Sequence, residues 1–416
     1  MENNSTLKNW YSVYLGIFLM LLIIAPKLTA ILFVLFVPLA IVGVKKQFFK
    51  FSLKPISILF FSIYLFYLFY CLFTRHNDIA LKYLEYKLSF ILFPLLFSFV
   101  PKQKINIQFL IIGFLIACLY LIGFGLIHSV QLYQTTNLGI TSFLVSYFSF
   151  THHPSYASAY YFVALFLVWY AFKMKFNWMK IWLALPLSFL FILATGLCLS
   201  LAGMLFLIFA LAVFVLILIY KKWGKLPAII LTFASPVILF FIIESNPYSR
   251  GEYEGAKKLA IEYFKDPKAF IEQKKYPMSG TESRLVMWTA SSIAFKDFPF
   301  GVGTGNVDEV LTAYLNKLDQ KELGKLQFNP HNQYLQTGIE IGWLGLFVLI
   351  ATLFYCLFIA KKYSNWLLMI LVCNLLFNML FESMLQRQSG IMFYVFGICL
   401  LMMLSEYRFL DQKKIE

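Results

Sequence analysis

Residues 199–220 read LSLAGMLFLIFALAVFVLILIY, a run of 22 residues without a charged side chain. A helix needs about 20 mainly apolar residues to cross the hydrocarbon core of a bilayer, and lipid leaves helices and closed barrels as the only spanning structures. A long continuous apolar run favours the helix. The segment therefore predicts a membrane-spanning helix.

The same pattern recurs along the chain, which predicts an all-α polytopic membrane protein with about twelve transmembrane helices. Composition agrees, because 61% of the residues are hydrophobic and 13% are charged, against about 25% charged in a soluble domain. The predicted spans are approximately 10–25, 28–44, 55–73, 87–100, 106–127, 157–173, 179–196, 199–220, 226–243, 336–360, 364–382 and 389–406.

The net charge is +15, and the distribution of the basic residues along the chain indicates how the protein is oriented in the membrane. With a cytoplasmic N-terminus, the cytoplasmic loops and ends hold eighteen Lys and Arg residues and the short opposite loops hold five. Positive residues mark the cytoplasmic side, so both termini are predicted to be cytoplasmic. A nucleic-acid partner is not expected, because the basic residues form separate clusters at loop ends and no continuous face.

Three regions follow from the spans. Residues 1–243 form an N-terminal transmembrane region of about nine helices, 244–335 form a large exported loop, and 336–416 form a C-terminal region of about three helices with a cytoplasmic tail. The loop contains three helical patterns of apolar residues, at Glu252–Lys265, Ser283–Lys296 and Asn306–Leu323.

Two kinds of polar side chain in the loop suggest chemistry. Asn329-Pro330-His331-Asn332 closes it, and a histidine can take a proton from a hydroxyl near neutral pH. Arg250 and Arg284 carry guanidinium groups that match phosphate oxygens, and Trp288 follows Arg284 by one helical turn. Each pattern has an alternative without chemistry. The His331 segment could form only a turn, and Arg284 could face lipid headgroups beside an interfacial tryptophan.

A glycine run, Gly301-Val302-Gly303-Thr304-Gly305, lies between two of the predicted loop helices. It lacks the spacing of a phosphate-binding P-loop and follows no predicted strand. We interpret it as a tight backbone turn against which a helix packs, with contact to an anion as the alternative.

Together these residues resemble the signature of the O-antigen ligase family, a group of membrane glycosyltransferases that includes ligases and related polymerases. The resemblance covers 283–345 and extends weakly to two other turns. Its motifs are Arg284, Trp288, Pro299-Phe300-Gly301-Val302-Gly303, His331-Asn332, Gly342 and Gly345, with His153-Pro154-Ser155-Tyr156 and Glu382-Ser383-Met384-Leu385 as the weaker matches.

The resemblance implies a GT-C-like enzyme of the bacterial inner membrane, with its active site on the periplasmic face. It would transfer a glycan from an undecaprenyl-diphosphate-linked donor to an acceptor hydroxyl, on lipid A-core oligosaccharide in a ligase, without metal or other cofactor. His331 would deprotonate the acceptor and Arg284 would neutralise the leaving diphosphate, with inversion at the anomeric carbon. The expected substrate-binding residues are Arg250, Asn332, His153, Tyr156, Trp288 and Gly303.

One position departs from the family pattern. Family members often carry a basic residue where this chain has Leu201, in Ser200-Leu201-Ala202-Gly203. Arg250, Arg387 or Lys87 could replace that charge, and we favour Arg250. No metal is expected at His152 and His153, because adjacent histidines diverge on a helix and no third ligand is evident.

Three functions remain open on the sequence. Ligation of a glycan to an acceptor and polymerisation of lipid-linked repeats share the same motifs. A transporter is the third, and it predicts broken helices or charges near the membrane midplane. The predicted spans are nearly free of charge, which favours the two enzymes.

Overall fold

The computed structural model describes residues 2–227, 229–232, 234 and 247–412; the side chains of residues 2–5, 247–253, 256 and 406–412 are outside this description. Nearly all of the described secondary structure is helical. The helices are α1 Glu2–Ile24, α2 Thr29–Lys45, α3 Pro55–Tyr70, α4 Asn77–Lys87, α5 Ser89–Ser98, α6 Ile107–Thr135, α7 Val145–Phe148, α8 Pro154–Lys173, α9 Ile181–Leu197, α10 Leu201–Trp223, α11 Pro247–Lys265, α12 Pro267–Gln273, α13 Gly280–Asp297, α14 Val307–Lys317, α15 Lys321–Lys325, α16 Gln333–Lys362, α17 Trp366–Asn378 and α18 Gln388–Gln412.

Eight of the described helical segments are long and apolar enough to cross a membrane, which confirms the predicted class of multi-pass helical protein. They are Thr6–Ile24, Pro26–Lys45, Pro55–Phe73, Ile107–Thr135, Pro154–Lys173, Leu201–Trp223, Gln333–Lys362 and Gln388–Ser405. Two shorter apolar helices, α9 and α17, add to them. The number twelve stays a prediction, since the predicted span 226–243 lies largely outside the described residues.

The predicted span 87–100 is not one continuous helix. α4 ends at Lys87, and α5 has 10 residues, which rise about 15 Å and cover half of a hydrocarbon core. Strand β2, Phe99–Pro101, then pairs antiparallel with β1, Phe49–Phe51. The apolar composition of 89–98 is that of a buried helix, because most of its residues are packed inside the protein.

The described chain forms two compact units. The larger unit comprises residues 1–204, 298–307 and 332–416, and the smaller unit comprises 205–297 and 308–331. Part of the long polar segment, 298–307, therefore belongs to the larger unit. The boundary after His331 separates it from Asn332, the first residue of the larger unit's last segment.

The larger unit has a core of closely packed helices. α1 and α6 approach through glycines, since a Cβ on Gly113 would lie 2.3 Å from the carbonyl oxygen of Gly16. Small residues permit such an approach between membrane helices. Deeper in the unit, Phe18 stacks on Phe396 with ring centroids 5.1 Å apart, and Phe93 meets Phe396 edge-on at 5.3 Å.

In the smaller unit, the helices predicted at Glu252–Lys265 and Ser283–Lys296 are confirmed as α11 and α13. The third, at Asn306–Leu323, is two helices, because α14 ends at Lys317 and α15 begins at Lys321. Between them Asp319 has a left-handed φ of 56°, which a helix cannot accommodate.

Candidate functional site

Helix α13 carries Arg284 and Trp288, and its start is fixed by a capping box. The N–H of Glu282 donates to Ser279 Oγ at 3.2 Å, and the N–H of Ser279 donates to Glu282 Oε2 at 3.0 Å. The reciprocal pair satisfies two backbone donors that a helix start leaves without partners. Lys274 Nζ lies 2.6 Å from Glu282 Oε1, and this bond, followed by the Ser279 bond, lowers the pKa of Glu282.

Arg284 has a buried hydrogen-bond donor that is not used by the described residues. Its Nε is shielded from solvent, and no hydrogen-bond acceptor reaches it among the described residues. A buried donor without a partner costs about 1–3 kcal/mol, and a phosphate oxygen would remove that cost with a charge-assisted bond. Trp288 lies one turn further along the same face.

Trp288 brings α13 to His331. Its indole Nε1 donates to the main-chain oxygen of His331 at 3.4 Å. His331 adopts a left-handed φ of 48° and donates its own N–H to Asn329 Oδ1 at 2.9 Å. The Phe328 ring lies edge-on to the imidazole, with ring centroids 5.8 Å apart. The turn thus presents a half-buried imidazole beside the helix of Arg284.

The glycine run belongs to the larger unit, where it pairs with a break in α16. Ile341 and Gly342 have non-helical φ/ψ angles. At this break Val302 N donates to Ile339 O at 2.8 Å, Gly303 N donates to Glu340 O at 3.2 Å, and Trp343 N donates to Pro299 O at 2.9 Å. These bonds support the interpretation as a turn packed against a helix, because the first two use N–H groups of the glycine run that a phosphate cradle would present.

Glycine is required on both sides of this contact. A Cβ on Gly301 would lie 2.7 Å from the amide nitrogen of Gly342, and one on Gly342 would lie 2.6 Å from the carbonyl carbon of Phe300. Both residues also have positive φ, 89° and 73°. The two halves of the motif are therefore complementary backbone surfaces.

Asn332 starts α16 in the larger unit. Its Oδ1 accepts from Leu335 N at 3.0 Å and its Nδ2 donates to Leu380 O at 3.1 Å. Both polar atoms of the amide are therefore used to hold the helix start. A substrate contact by Asn332 stays a prediction and would have to share these atoms.

His153 and Tyr156 meet at the start of α8. His153 Nδ1 lies 3.9 Å from Glu382 Oε2 and accepts from Ser155 N at 3.4 Å. Tyr156 is buried and donates from its hydroxyl to Ser383 O at 3.2 Å. The two weaker sequence matches, around His153 and Glu382, are thus neighbours in space.

His152 has a structural environment. Its Nε2 lies 2.8 Å from Ile23 O and its Nδ1 lies 3.0 Å from Ser389 Oγ. Burial lowers the pKa of His152. Both ring nitrogens tie chain segments together, so a metal could bind only by displacing them.

The basic residues that could replace the charge missing at Leu201 differ in their surroundings. Leu201 is exposed at the start of α10. The backbone of Arg250 lies in α11, and its side chain is outside the described residues. Lys87 is fully buried, and its Nζ donates to Leu385 O at 2.9 Å and to Gln386 Oε1 at 2.7 Å. Its hydrogen bonds are therefore directed to the protein.

A buried polar stripe on α16 was missed by the sequence reading. Gln333, Gln336, Thr337 and Glu340 recur every three or four residues and are fully or almost fully buried. Gln333 Nε2 donates to Thr337 Oγ1 at 3.0 Å, and Gln336 Nε2 donates to Glu340 Oε2 at 3.1 Å. The spacing itself was the available signal, because a polar stripe on one face of an otherwise apolar helix indicates an interior face.

These features belong to a multi-pass helical membrane protein in which Arg284 and His331 lie on one compact unit. In comparison with protein families, residues 186–350 match the model described as O-antigen ligase. The match confirms the predicted resemblance to the O-antigen ligase family and contains Arg284, Trp288, His331 and both sides of the glycine contact. No curated protein matches the chain.

Proposed function

We propose that the protein is a membrane glycosyltransferase that moves a glycan from an undecaprenyl-diphosphate-linked donor to an acceptor hydroxyl. The family match supports an O-antigen ligase or polymerase type of transferase. The observation that carries the proposal is the contact of Trp288 with His331, since it places the helix of Arg284 beside the histidine within one compact unit.

The proposed chemistry divides between the two side chains. His331 removes the proton of the acceptor hydroxyl as the oxygen attacks the anomeric carbon. The bond from this carbon to the diphosphate oxygen breaks, and Arg284 stabilises the charge that develops on the leaving group. A single displacement of this kind inverts the anomeric configuration. We place the reaction on the periplasmic face, where the acceptor is lipid A-core oligosaccharide or another glycan.

Polymerisation is the second candidate, because a lipid-linked repeat unit can supply the acceptor hydroxyl through the same residues. The nature of the acceptor decides between polymerisation and ligation. Defined acceptors therefore belong in the assay: lipid A-core oligosaccharide on one side and the lipid-linked repeat on the other.

One observation, a break in α16, is a feature that a transporter would have, and it was not predicted from the sequence. α16 is broken at Ile341 and Gly342, and Glu340 beside the break is buried. The break follows residue 8 of this 30-residue helix, about 12 Å from its start, and is closed by the main-chain bonds to 299–303. A transporter needs two alternating arrangements near the midplane, whereas this break is off-centre and bonded.

The test is a transfer assay with purified protein in vesicles and defined donor and acceptors. We expect His331→Ala and Arg284→Ala to insert, to elute as the wild type does and to lose transfer. Lys296→Ala is the matched control, since Lys296 is exposed on the same helix as Arg284. Transfer at the wild-type rate by either site variant would reject the mechanism, and movement of the intact donor across the vesicle membrane would favour transport.

A further inference from the structure

Helix α11 exposes an apolar pair that the described residues leave uncovered. Ile261 is 57% exposed and Phe264 is 80% exposed. They are three residues apart and so share one helical face, on which Lys257 lies one turn before Ile261 and Lys265 lies at the side. We call these four residues the Phe264 face.

The opposite side of α11 is packed, which fixes the direction of the Phe264 face. Tyr263 forms a hydrogen bond of 2.7 Å with Thr289 Oγ1, and its ring meets the buried Phe270 edge-on at 5.5 Å. Thr289 lies on α13, directly after Trp288. Rotation of α11 to bury Phe264 would break both contacts.

An exposed Phe beside an exposed Ile, flanked by lysines, is the pattern of a helix that lies in a membrane interface. Burying these side chains in the interface would remove apolar surface from water, which is favourable. Lys257, Lys258 and Lys265 provide positive charge for lipid phosphates, and Lys258 also lies 3.9 Å from Glu262 at the edge of the face. Because α10 is an apolar candidate span and all of it from Leu205 onward belongs to the same compact unit, a bilayer surface is within reach of this unit.

We propose that the Phe264 face docks on the surface of an anionic phospholipid bilayer. Ile261 and Phe264 enter the boundary between headgroups and acyl chains, and Lys257 and Lys265 contact lipid phosphates. The Tyr263 contact with Thr289 then holds α13 at the level of the headgroups. If the proposed function holds, this contact also presents Arg284 to a lipid diphosphate. The membrane contact itself does not depend on the proposed function.

A fluorescent label at position 264 tests the contact directly. The full chain, with its six cysteines replaced by alanine or serine, would carry Phe264→Cys and an environment-sensitive label. We expect blue-shifted emission in vesicles of phosphatidylcholine and phosphatidylglycerol, with quenching by lipids spin-labelled about 5–10 Å below the phosphates. Ala313→Cys is the control, because Ala313 is exposed on α14 in the same unit; its label should show neither effect.

Charge reversal tests the lipid partner. Lys257→Glu with Lys265→Glu should lose the quenching at position 264, whereas Lys317→Glu with Lys321→Glu, exposed lysines of the same unit, should retain it. Equal emission from the labels at 264 and 313 in anionic vesicles would overturn the proposal. So would a blue shift without lipid quenching that disappears when each vesicle holds one protein molecule, because a second copy of the chain would then cover the face.

The outcomes separate this proposal from the proposed function. The label reports membrane contact without any glycan donor. Membrane contact in a protein that fails the transfer assay would support the Phe264 face and contradict the transferase function. Transfer without membrane contact would support the transferase function and contradict the Phe264 face.

Discussion

The indole N–H of Trp288 reaches the main-chain oxygen of His331 over 3.4 Å, so a helix and a left-handed turn 43 residues apart in the chain meet at one hydrogen bond. The bond holds the backbone of His331 and leaves its side chain to be oriented by neighbours such as Phe328. In the proposed reaction, Trp288 therefore positions the imidazole without contacting the reacting atoms.

Trp288→Phe should lower transfer modestly, because it removes the N–H and keeps most of the ring. The lost hydrogen bond is worth about 0.5–1.5 kcal/mol, which corresponds to about a tenfold loss of kcat/KM or less. Trp288→Ala should lose more, since the ring also packs. The exposed Trp366 provides the control, and equal kcat/KM for Trp288→Phe, Trp366→Phe and the wild type would contradict the positioning role.

Gly342→Ala should destabilise the protein strongly. Its φ of 73° with ψ of 178° is a conformation that essentially only glycine adopts and that costs an alanine about 1–3 kcal/mol, and the added Cβ would lie 2.6 Å from the carbonyl carbon of Phe300. Gly196→Ala is the control, because nothing lies within 4 Å of a Cβ there. We expect a lower apparent melting temperature in detergent for Gly342→Ala alone; the same temperature for both variants would show that the contact yields easily.

The glycine motif shows what the sequence could predict. A run with glycine at 301, 303 and 305 predicts a turn, because residues with positive φ favour glycine, and the turn is present. Its partner was not predictable from local pattern, since the break in α16 near Gly342 lies some forty residues away. Apolar periodicity predicts that a helix exists; it says nothing about which main-chain groups two distant segments exchange.

The candidate site was also only partly predictable from the sequence. The helical spacing of Arg284 and Trp288 could be predicted, and α13 confirms it. The contact of Trp288 with His331 depends on packing within the smaller unit, which the sequence pattern does not specify. Lys87 was placed at the end of a predicted span, but its partners Leu385 and Gln386 are almost 300 residues further along the chain, so burial of this charge was not foreseeable.

Lys87→Met should cost about 1–3 kcal/mol of stability for each buried acceptor that loses its donor. It leaves Leu385 O and Gln386 Oε1 without the ammonium, and it removes a positive charge that interacts with the Glu340 carboxylate. Lys82→Met, exposed on the same helix, should change the apparent melting temperature little. Adding Glu340→Gln to Lys87→Met should recover part of the loss; a double variant that melts lower than Lys87→Met would refute the charge coupling.

Chelation should leave transfer unchanged. The proposed mechanism takes its base from His331 and its charge stabilisation from Arg284, so it assigns no step to a metal. EDTA-treated and untreated protein should give the same rate in the vesicle assay. Strong inhibition that a divalent ion reverses would require a different source of charge stabilisation.

The capping box of α13 should give the protein an acid-sensitive step. Lys274 and the Ser279 N–H lower the folded-state pKa of Glu282 below its ordinary value of 4.5, so the carboxylate stabilises the fold above the unfolded pKa and loses this effect as pH falls through the folded one. Glu282→Gln should lower stability at pH 7 by about 1 kcal/mol or less, and the difference from wild type should shrink as pH falls below 4.5 and through the lower folded-state pKa. Glu272→Gln, at an exposed position in the same unit, makes the same charge change without the cap. Apparent melting temperatures of the three proteins between pH 7 and pH 3.5 test this, and a Glu282→Gln profile parallel to wild type throughout would show that the carboxylate contributes no charge-dependent stability to the helix that carries Arg284.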